Sequence, residues 1–222
     1  MGINTLLVRP EFAYTDLTAT EGLSNDEALF VARLRANEDD AYDELVREFH
    51  AGIFQVASRM LNDPGEAADV TQDIFLKVFR NIAGFRGQSS LKTWVYRIAL
   101  SEILNRLRWS RRRFRHRTFS IDEPPPSEET WTGIQIRDEG PTPEAALAQV
   151  EQNEAIREGL AKLNQRYRSI IVLRDIQGFS YEEIADILGI SLGTVKSRLA
   201  RARKELKKQL MRYVSVQRIA VR

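Results

Sequence analysis

The chain of 222 residues contains no cysteine, only two histidines and no long apolar run. Without cysteine it has neither disulfides nor thiolate metal ligands, a composition that fits a reducing compartment. No apolar stretch approaches the roughly 20 residues that a helix needs to span a bilayer. The start, MGINTLLVRPEF, lacks the basic residues and apolar core of a secretion signal. We therefore expect a cytoplasmic protein with no direct membrane insertion.

Groups that support catalysis are also scarce. No glycine-rich loop followed by Lys and Ser or Thr is present, which argues against a nucleotide hydrolase. Neither His50 nor His116 has ligand-like or nucleophilic neighbours in the sequence. We expect a protein that is not an enzyme and that holds no metal and no cofactor.

The charges are unevenly distributed, although the formal net charge is only +2. From Arg106 to Arg117 there are seven arginines and no acid, and from Ser191 to Arg212 there are eight basic residues and one acid. Between these segments, from Asp122 to Glu144, seven acids accompany a single arginine. Two basic segments separated by an acidic one favour nucleic-acid binding over a merely solvated surface.

Apolar residues recur at helical steps of three and four along most of the chain, and no segment alternates convincingly as a strand does. Ser24 and Glu27 form a predicted capping box, in which the serine caps the amide of Glu27 and the glutamate reaches back. This box opens a predicted helix with Leu29, Phe30, Val31 and Leu34. Further helices are predicted at about 40–61, 66–82, from 91 into the arginine run, 143–163 and 165–176. The predicted fold class is all-α, with two small helical domains joined by a flexible acidic linker.

The predicted boundaries follow these patterns. A flexible extension covers residues 1–23, a helical domain 24–117, a linker 118–141, a second helical domain 142–212 and a tail 213–222. The linker contains three consecutive prolines, several acids and two glycines, and such a composition builds no core.

The second domain ends in a predicted helix-turn-helix, Phe179 to Lys207. Ser180 and Glu183 form a capping box, Gly189 suits the turn, and Ser191 can cap the second helix. The second helix has apolar residues on one face and basic residues on the other. Such a helix suits a major groove lined by phosphates. The sequence therefore predicts double-stranded DNA as a partner.

Three passages in this order resemble the extracytoplasmic-function (group IV) sigma factors of bacterial RNA polymerase: DVTQDIFLKVF at 69–79, FRGQSSLKTWVYRIA at 85–99, and the helix-turn-helix. The resemblance implies that the two domains are sigma regions 2 and 4. It also implies that the partners are core RNA polymerase, promoter DNA that is duplex at −35 and single-stranded at −10, and an anti-sigma factor.

The first passage resembles the family's polymerase-binding helix. Positions 69, 72, 73 and 76 share one helical face, opposite much of the stripe of Val70, Ile74 and Val78. Taken alone, these residues suit a solvated acidic face better than a binding surface, and the resemblance reverses that preference. The resemblance assigns polymerase contacts to Asp69, Gln72, Asp73, Leu76 and Lys77.

The second passage resembles the element that opens and reads the −10 region. A base that leaves the stack needs a shaped pocket and stacking surfaces. The resemblance implies that the loop from Phe85 to Ser90 forms that pocket, with Phe85 and the following helix as its walls. Core packing is the alternative for Trp94 and Tyr96, and Ser101 stands where the family often has asparagine, which leaves the accepted base open. The −10 contacts implied by the resemblance are Phe85, Ser89, Trp94, Tyr96, Arg97, Ser101, Asn105, Arg106 and Arg108.

The third passage is assigned −35 recognition by the resemblance. Base contacts give specificity, whereas phosphate contacts give affinity and register. The implied groove-facing residues are Lys196, Ser197, Ala200 and Arg201, and the implied phosphate contacts are Thr194, Arg198 and Arg203.

These features together predict a transcription initiation factor that binds core RNA polymerase, reads −35 and −10 elements and helps open the −10 DNA. One alternative is a helix-turn-helix regulator that binds duplex DNA alone, as a dimer, without forming a holoenzyme. A second alternative is a protein that sequesters polymerase without starting transcription.

Overall fold

The computed structural model describes residues 23–61, 63–116 and 153–220, and for 111–116 and 212–220 it describes only the backbone. Predicted segments 1–22 and 117–152, which include the linker, lie outside the described residues. The described part contains helices and no strand, which confirms the all-α prediction. The elements are α1 (Asn25–Arg35), α2 (Asp39–Leu61), α3 (Pro64–Asn81), a 3-10 turn (Ile82–Gly84), α4 (Leu91–His116), α5 (153–161), α6 (Gln165–Ile171), a π turn (Val172–Ile176), α7 (Tyr181–Leu188) and α8 (Leu192–Ala220).

The N-terminal bundle consists of α2, α3 and α4, with α1 packed on α2 and on the 3-10 turn. The predicted apolar stripes supply its core, as Ile53, Ile74 and Val95 are fully buried. Leu29 is the exception among the apolar residues predicted for α1, because 65% of it is exposed. Val31 and Leu34 are fully buried, and the partly buried Phe30 also packs α1 against the bundle.

The two predicted capping boxes have different outcomes. The box at α7 is complete: the Glu183 amide donates to Ser180 Oγ at 3.1 Å, and the Ser180 amide donates to Glu183 Oε2 at 2.7 Å. The box at α1 is only half formed. Ser24 Oγ accepts from the Glu27 amide, but the Glu27 carboxylate accepts from the backbone amide of Leu91 at 2.5 Å instead of reaching back.

The C-terminal bundle is formed by α5 to α8, with α6 packed along α8. The predicted helix over 165–176 is not uniform, because its second half widens into the π turn. Gly189 ends α7 in the left-handed conformation at φ 61°, which glycine adopts without strain, and so forms the turn of the helix-turn-helix. α8 continues to Ala220, through most of the stretch predicted as a tail.

The two bundles are in direct contact through polar and aromatic side chains. The Tyr96 hydroxyl donates to Gln177 Oε1 at 3.0 Å, and Gln177 Nε2 donates to Gln55 Oε1 at 2.7 Å. The Tyr96 ring meets the edge of the Phe179 ring at 4.7 Å. Burial raises the pKa of the Tyr96 phenol to about 12, so this hydroxyl remains a hydrogen-bond donor at neutral pH.

Gly52 of α2 provides the space for this contact, because a Cβ built there would lie 2.1 Å from the Tyr96 hydroxyl. We expect Gly52→Ala to lower the free energy of unfolding by about 1–3 kcal/mol, as overpacking does. Helix propensity acts in the opposite direction, favouring alanine by up to about 1 kcal/mol. Urea denaturation measures the difference.

Gly193 in the first turn of α8 is the matched control, because a Cβ there meets nothing within 4 Å. Gly193→Ala should leave stability unchanged or raise it slightly. A Gly52→Ala variant as stable as the control would show that the contact between the bundles does not form in solution.

Candidate partner and nucleic-acid interfaces

The exposed face of α3 carries all five residues predicted to contact polymerase. Asp63 caps the helix by accepting from the Glu66 amide at 2.9 Å, and Pro64 follows in the first turn. Val70, Ile74 and Val78 are buried, which fixes the rotation of the helix. Leu76 is 42% exposed, so the face presents an apolar side chain among polar ones. We call this set the α3 face: Asp69, Gln72, Asp73, Leu76 and Lys77.

Two members of the α3 face are already engaged by α4. Asp73 Oδ2 accepts from Arg106 Nη2 at 2.9 Å, and Lys77 Nζ donates to Glu102 Oε1 at 2.5 Å. Arg106 was predicted as a DNA contact, so one ion pair joins the predicted polymerase surface to the predicted −10 surface. Sequence reasoning missed Glu102, which lies 25 residues from Lys77.

Phe85 and Tyr96 lie in the core, in contrast to the other predicted −10 residues. Phe85 is 2% exposed and its ring centroid is 5.2 Å from that of Trp94, while Tyr96 is 4% exposed under Phe179. Neither ring therefore offers a free face to a base in this conformation. Trp94 is only half-buried, and Ser89 Oγ donates to the Ser90 carbonyl at 3.3 Å within the preceding loop.

The remaining −10 residues follow one line along α4. Their spacing of three and four places them on a common side of the helix. Ser101, Asn105 and Arg108 are exposed, and Arg108 donates to the Asn105 side-chain oxygen. Arg97 is half-buried, and its buried Nε has no hydrogen-bond partner within the described residues. We call this set the α4 stripe: Trp94, Arg97, Ser101, Asn105 and Arg108.

The helix-turn-helix exposes its predicted groove residues on α8. Val195, Leu199 and Ala202 are buried, so the opposite side faces outward. Ser191 caps the helix, since its Oγ accepts from the Thr194 amide at 3.2 Å and lies 2.9 Å from Thr194 Oγ1. We call the exposed groove residues the α8 face: Lys196, Ser197, Ala200 and Arg201.

Arg203, predicted as a phosphate contact, pairs with Asp175 of the π turn. Its Nε donates to Asp175 Oδ2 at 3.0 Å, and its Nη2 donates to the other carboxylate oxygen. These hydrogen bonds, made first of all to Asp175, raise the pKa of the Arg203 guanidinium. The pair ties α8 to the π turn, a role that the sequence pattern did not indicate.

Arg198 has no such partner among the residues that the structure describes. Burial and, after it, the charge of nearby Arg166 lower the pKa of its guanidinium. Arg166 lies in the first turn of α6, just after Asn164, whose Oδ1 caps the Tyr167 amide at 2.9 Å. Sequence reasoning missed Arg166, although a basic residue two positions after a helix cap was visible. Two neighbouring arginines favour an anion between them.

The structure also bears on membrane spans and metal sites. Across the described ranges, no helix is both long and apolar enough to cross a membrane. In the same residues, no group of three or more histidine or acidic side chains is arranged to hold a metal ion.

Comparisons with known proteins give the family. Residues 45–113 match the family described as Sigma-70 region 2, and residues 153–206 match Sigma-70, region 4. RNA polymerase sigma factor YlaC of Bacillus subtilis (strain 168) is 35% identical over 186 residues, which cover 81% of this chain and 98% of the relative. ECF RNA polymerase sigma factor SigW of the same organism is 33% identical, over 81% of this chain and 94% of the relative.

Two solved structures share the fold. CnrH, in complex with the cytosolic domain of CnrY, superposes with a TM-score of 0.60 at 22% identity, covering 84% of this chain and 97% of that one. The sigma factor RpoE from Bartonella quintana, in complex with the anti-sigma factor NepR, gives 0.53 at 24% identity, covering 84% and 94%.

The two regions in their order, with relatives that align over nearly their whole length, define a two-region RNA polymerase sigma factor. Within that class, the chain belongs to the extracytoplasmic-function sigma factors. It is a promoter-specific transcription initiation factor that acts with RNA polymerase.

The Arg203–Asp175 pair gives a prediction that separates structural from DNA-binding arginines. Both side chains are partly exposed, at 51% and 32%, so we expect Arg203→Ala to lower the free energy of unfolding by only about 0.5–1 kcal/mol. Asp175→Ala should have the same effect, and the double variant should be no less stable than either single one. Thermal unfolding of the three variants measures this.

Arg201→Ala is the matched control on the same helix, because Arg201 is exposed and its removal should leave stability unchanged. Equal stability of all the variants would contradict a structural role for Arg203. Its predicted role as a phosphate contact would then stand.

Proposed function

We propose that three exposed surfaces divide the work of initiation: the α3 face binds core polymerase, the α4 stripe binds the opened −10 strand, and the α8 face reads the −35 duplex. The observation that carries this proposal is the rotation of each helix. In each of the three, the core takes one side, and the chemically suitable residues lie on the other. The charge follows the same division, acidic and apolar on α3 but basic on α4 and α8.

Polymerase binding is assigned first to Asp69, Gln72 and Leu76. Within the described residues they make no ion pair or side-chain hydrogen bond, so a partner helix can engage them without breaking internal contacts. A carboxylate and an amide suit arginines on the partner, and Leu76 adds apolar area that water now covers.

The α4 stripe suits a single strand because it combines a ring with polar and basic groups in a line. From Trp94 to Arg108 it extends about 21 Å at the helical rise of 1.5 Å per residue. Trp94 supplies a partly open ring for stacking, and Asn105 and Arg108 lie further along for phosphates and base edges. Capture of an unstacked base would then drive DNA opening without catalysis by this chain.

The α8 face suits a major groove, with Arg201 able to contact guanine through two hydrogen bonds. Arg166 and Arg198 stand beside it as phosphate contacts, since an anion between them relieves the unfavourable proximity of two cations. Because polymerase holds both DNA-binding surfaces, neither needs high affinity alone.

The same division implies where the protein works and what restrains it. We place it in the cytoplasm, where polymerase and the chromosome are. An anti-sigma factor would inhibit it by covering the α3 face or the DNA-binding surfaces, since structurally similar sigma factors were solved with such inhibitors.

Polymerase binding can be tested at Asp69. We expect Asp69→Ala to weaken binding to core polymerase about tenfold, as loss of one hydrogen bond to a charged group does. Asp43→Ala is the control, because Asp43 is an exposed carboxylate on α2 outside the α3 face. Both variants and the wild type would be measured by binding to core polymerase and by sequencing RNA 5′ ends from genomic fragments.

Protein-dependent starts that share two upstream motifs at fixed spacing would support the proposal. Polymerase binding without new starts would favour sequestration, and DNA binding as a dimer without polymerase would favour an ordinary regulator. Equal binding by Asp69→Ala and Asp43→Ala would remove the α3 face from the polymerase interface.

The −35 assignment predicts two kinds of arginine. Arg201→Ala should reduce discrimination between matched and mismatched −35 duplexes by about 1–3 kcal/mol. Arg166→Ala should weaken binding to both duplexes equally and lower the slope of log affinity against log salt by about one. Titrations of holoenzyme with both duplexes at several salt concentrations distinguish them. Arg166→Ala with an unchanged slope would contradict the phosphate contact.

A further inference from the structure

Helix α1 contacts both ends of the loop that leads into the α4 stripe. This loop covers residues 85–90, between the 3-10 turn and α4, and we call it the −10 loop. We infer that Arg35 and Glu27 of α1 are positioning residues that hold the −10 loop in the shape that accepts an unstacked base. The inference deepens the proposed −10 function and rests on it.

At the start of the loop, Arg35 holds the backbone of Phe85. Its Nη2 donates to the Phe85 carbonyl, while the Phe85 amide donates to the Ile82 carbonyl at 3.1 Å. Arg35 is the last residue of α1, and its Nε is buried without a hydrogen-bond partner in the described part of the chain. The guanidinium therefore binds the loop backbone rather than solvent.

At the end of the loop, Glu27 holds the first amide of α4. Its Oε1 accepts from the Leu91 amide at 2.5 Å, and Ser90 caps the same helix by accepting from the Thr93 amide at 3.1 Å. A carboxylate at a helix N-terminus is favoured by the unpaired amides and by the helix dipole. Glu27 fills this position instead of completing the capping box of its own helix.

The two anchors are eight residues apart on one rigid element. At 1.5 Å per residue, they lie about 12 Å apart along the axis of α1. Val31 and Leu34 between them are fully buried, so the core fixes α1 and α1 in turn fixes both ends of the loop. Binding sites need first contacts held to about 0.5 Å, which a six-residue loop on its own does not provide.

The charged groups of Arg35 and Glu27 form hydrogen bonds with backbone groups at the ends of the loop rather than within α1. Arg33 of the same helix forms ion pairs with Glu38 and Glu44 at 3.0 and 2.9 Å, as surface arginines commonly do. Arg35 and Glu27 instead reach carbonyl and amide groups 50 and 64 residues away. Their loss should therefore alter the loop more than the helix.

The test uses holoenzyme and single-stranded oligonucleotides carrying the −10 sequence found by mapping transcription starts. Each base in turn is replaced, which gives a ratio of matched to mismatched affinity. We expect Arg35→Ala and Glu27→Ala to lower this ratio about tenfold, the effect of losing a hydrogen bond to a charged group. Affinity for core polymerase should remain that of the wild type.

Matched controls come from the same helix. Asp26→Ala removes an exposed carboxylate of α1 next to Glu27, and Arg33→Ala removes an arginine next to Arg35, so both should keep the wild-type ratio. Glu27→Gln keeps a side-chain oxygen that can accept from Leu91 and should restore most of the discrimination. Hydrogen exchange of the Leu91 amide should accelerate in Glu27→Ala and not in Asp26→Ala.

The outcomes separate this inference from the function on which it rests. A wild-type holoenzyme that shows no −10 discrimination would remove the proposed function and the positioning role with it. Wild-type discrimination that persists unchanged in Arg35→Ala and Glu27→Ala would overturn the positioning role alone. A fall in thermal stability with equal weakening for all oligonucleotides would also overturn it, since that is the behaviour of a purely structural contact.

Discussion

The contact of α4 with the segment before α7 constrains the rest of the structure. Helix α4 belongs to the N-terminal bundle and also packs against α7 of the C-terminal bundle. Tyr96 takes the side of α4 that faces Gln177 and Phe179, and the α3 contacts take another side. The side that carries the α4 stripe remains outward. The interior packing of one helix thus determines which of its residues can meet a nucleic acid, and it leaves Tyr96 unavailable while the bundles are together.

The contact combines hydrogen-bonding side chains with the buried rings of Tyr96 and Phe179. Arg168 is buried and donates to the carbonyls of Met60, Ala161 and Leu163, which joins the end of α2 to the α5–α6 turn. When the bundles part, water can replace the hydrogen bonds of Tyr96, Gln177 and Arg168, so the net cost of each is modest. Separation also exposes the rings of Tyr96 and Phe179, and this loss of apolar burial favours the joined state.

Local sequence patterns predicted most of the described helices, the cap of α7 and the outward sides of α3 and α8, because each depends on residues three or four apart. They did not predict contacts between distant residues. Glu27 and Leu91 are 64 residues apart, Asp73 and Arg106 are 33 apart, and Asp175 and Arg203 are 28 apart. In each case the residue's own neighbourhood suggested another role, and only the packing of two helices side by side revealed the partner.

The Asp73–Arg106 pair shows why this limit matters for function. In the proposed division of surfaces, Asp73 meets polymerase and Arg106 lies next to the −10 strand, yet here they neutralise each other at 2.9 Å. A polymerase arginine that forms an ion pair with Asp73 would leave Arg106 without its carboxylate partner. Arg106 could then pair with a DNA phosphate instead. Because Asp73 is more than half exposed, this exchange costs little desolvation. In the proposed division, the two surfaces would therefore share one charge, and occupancy of the first would favour occupancy of the second.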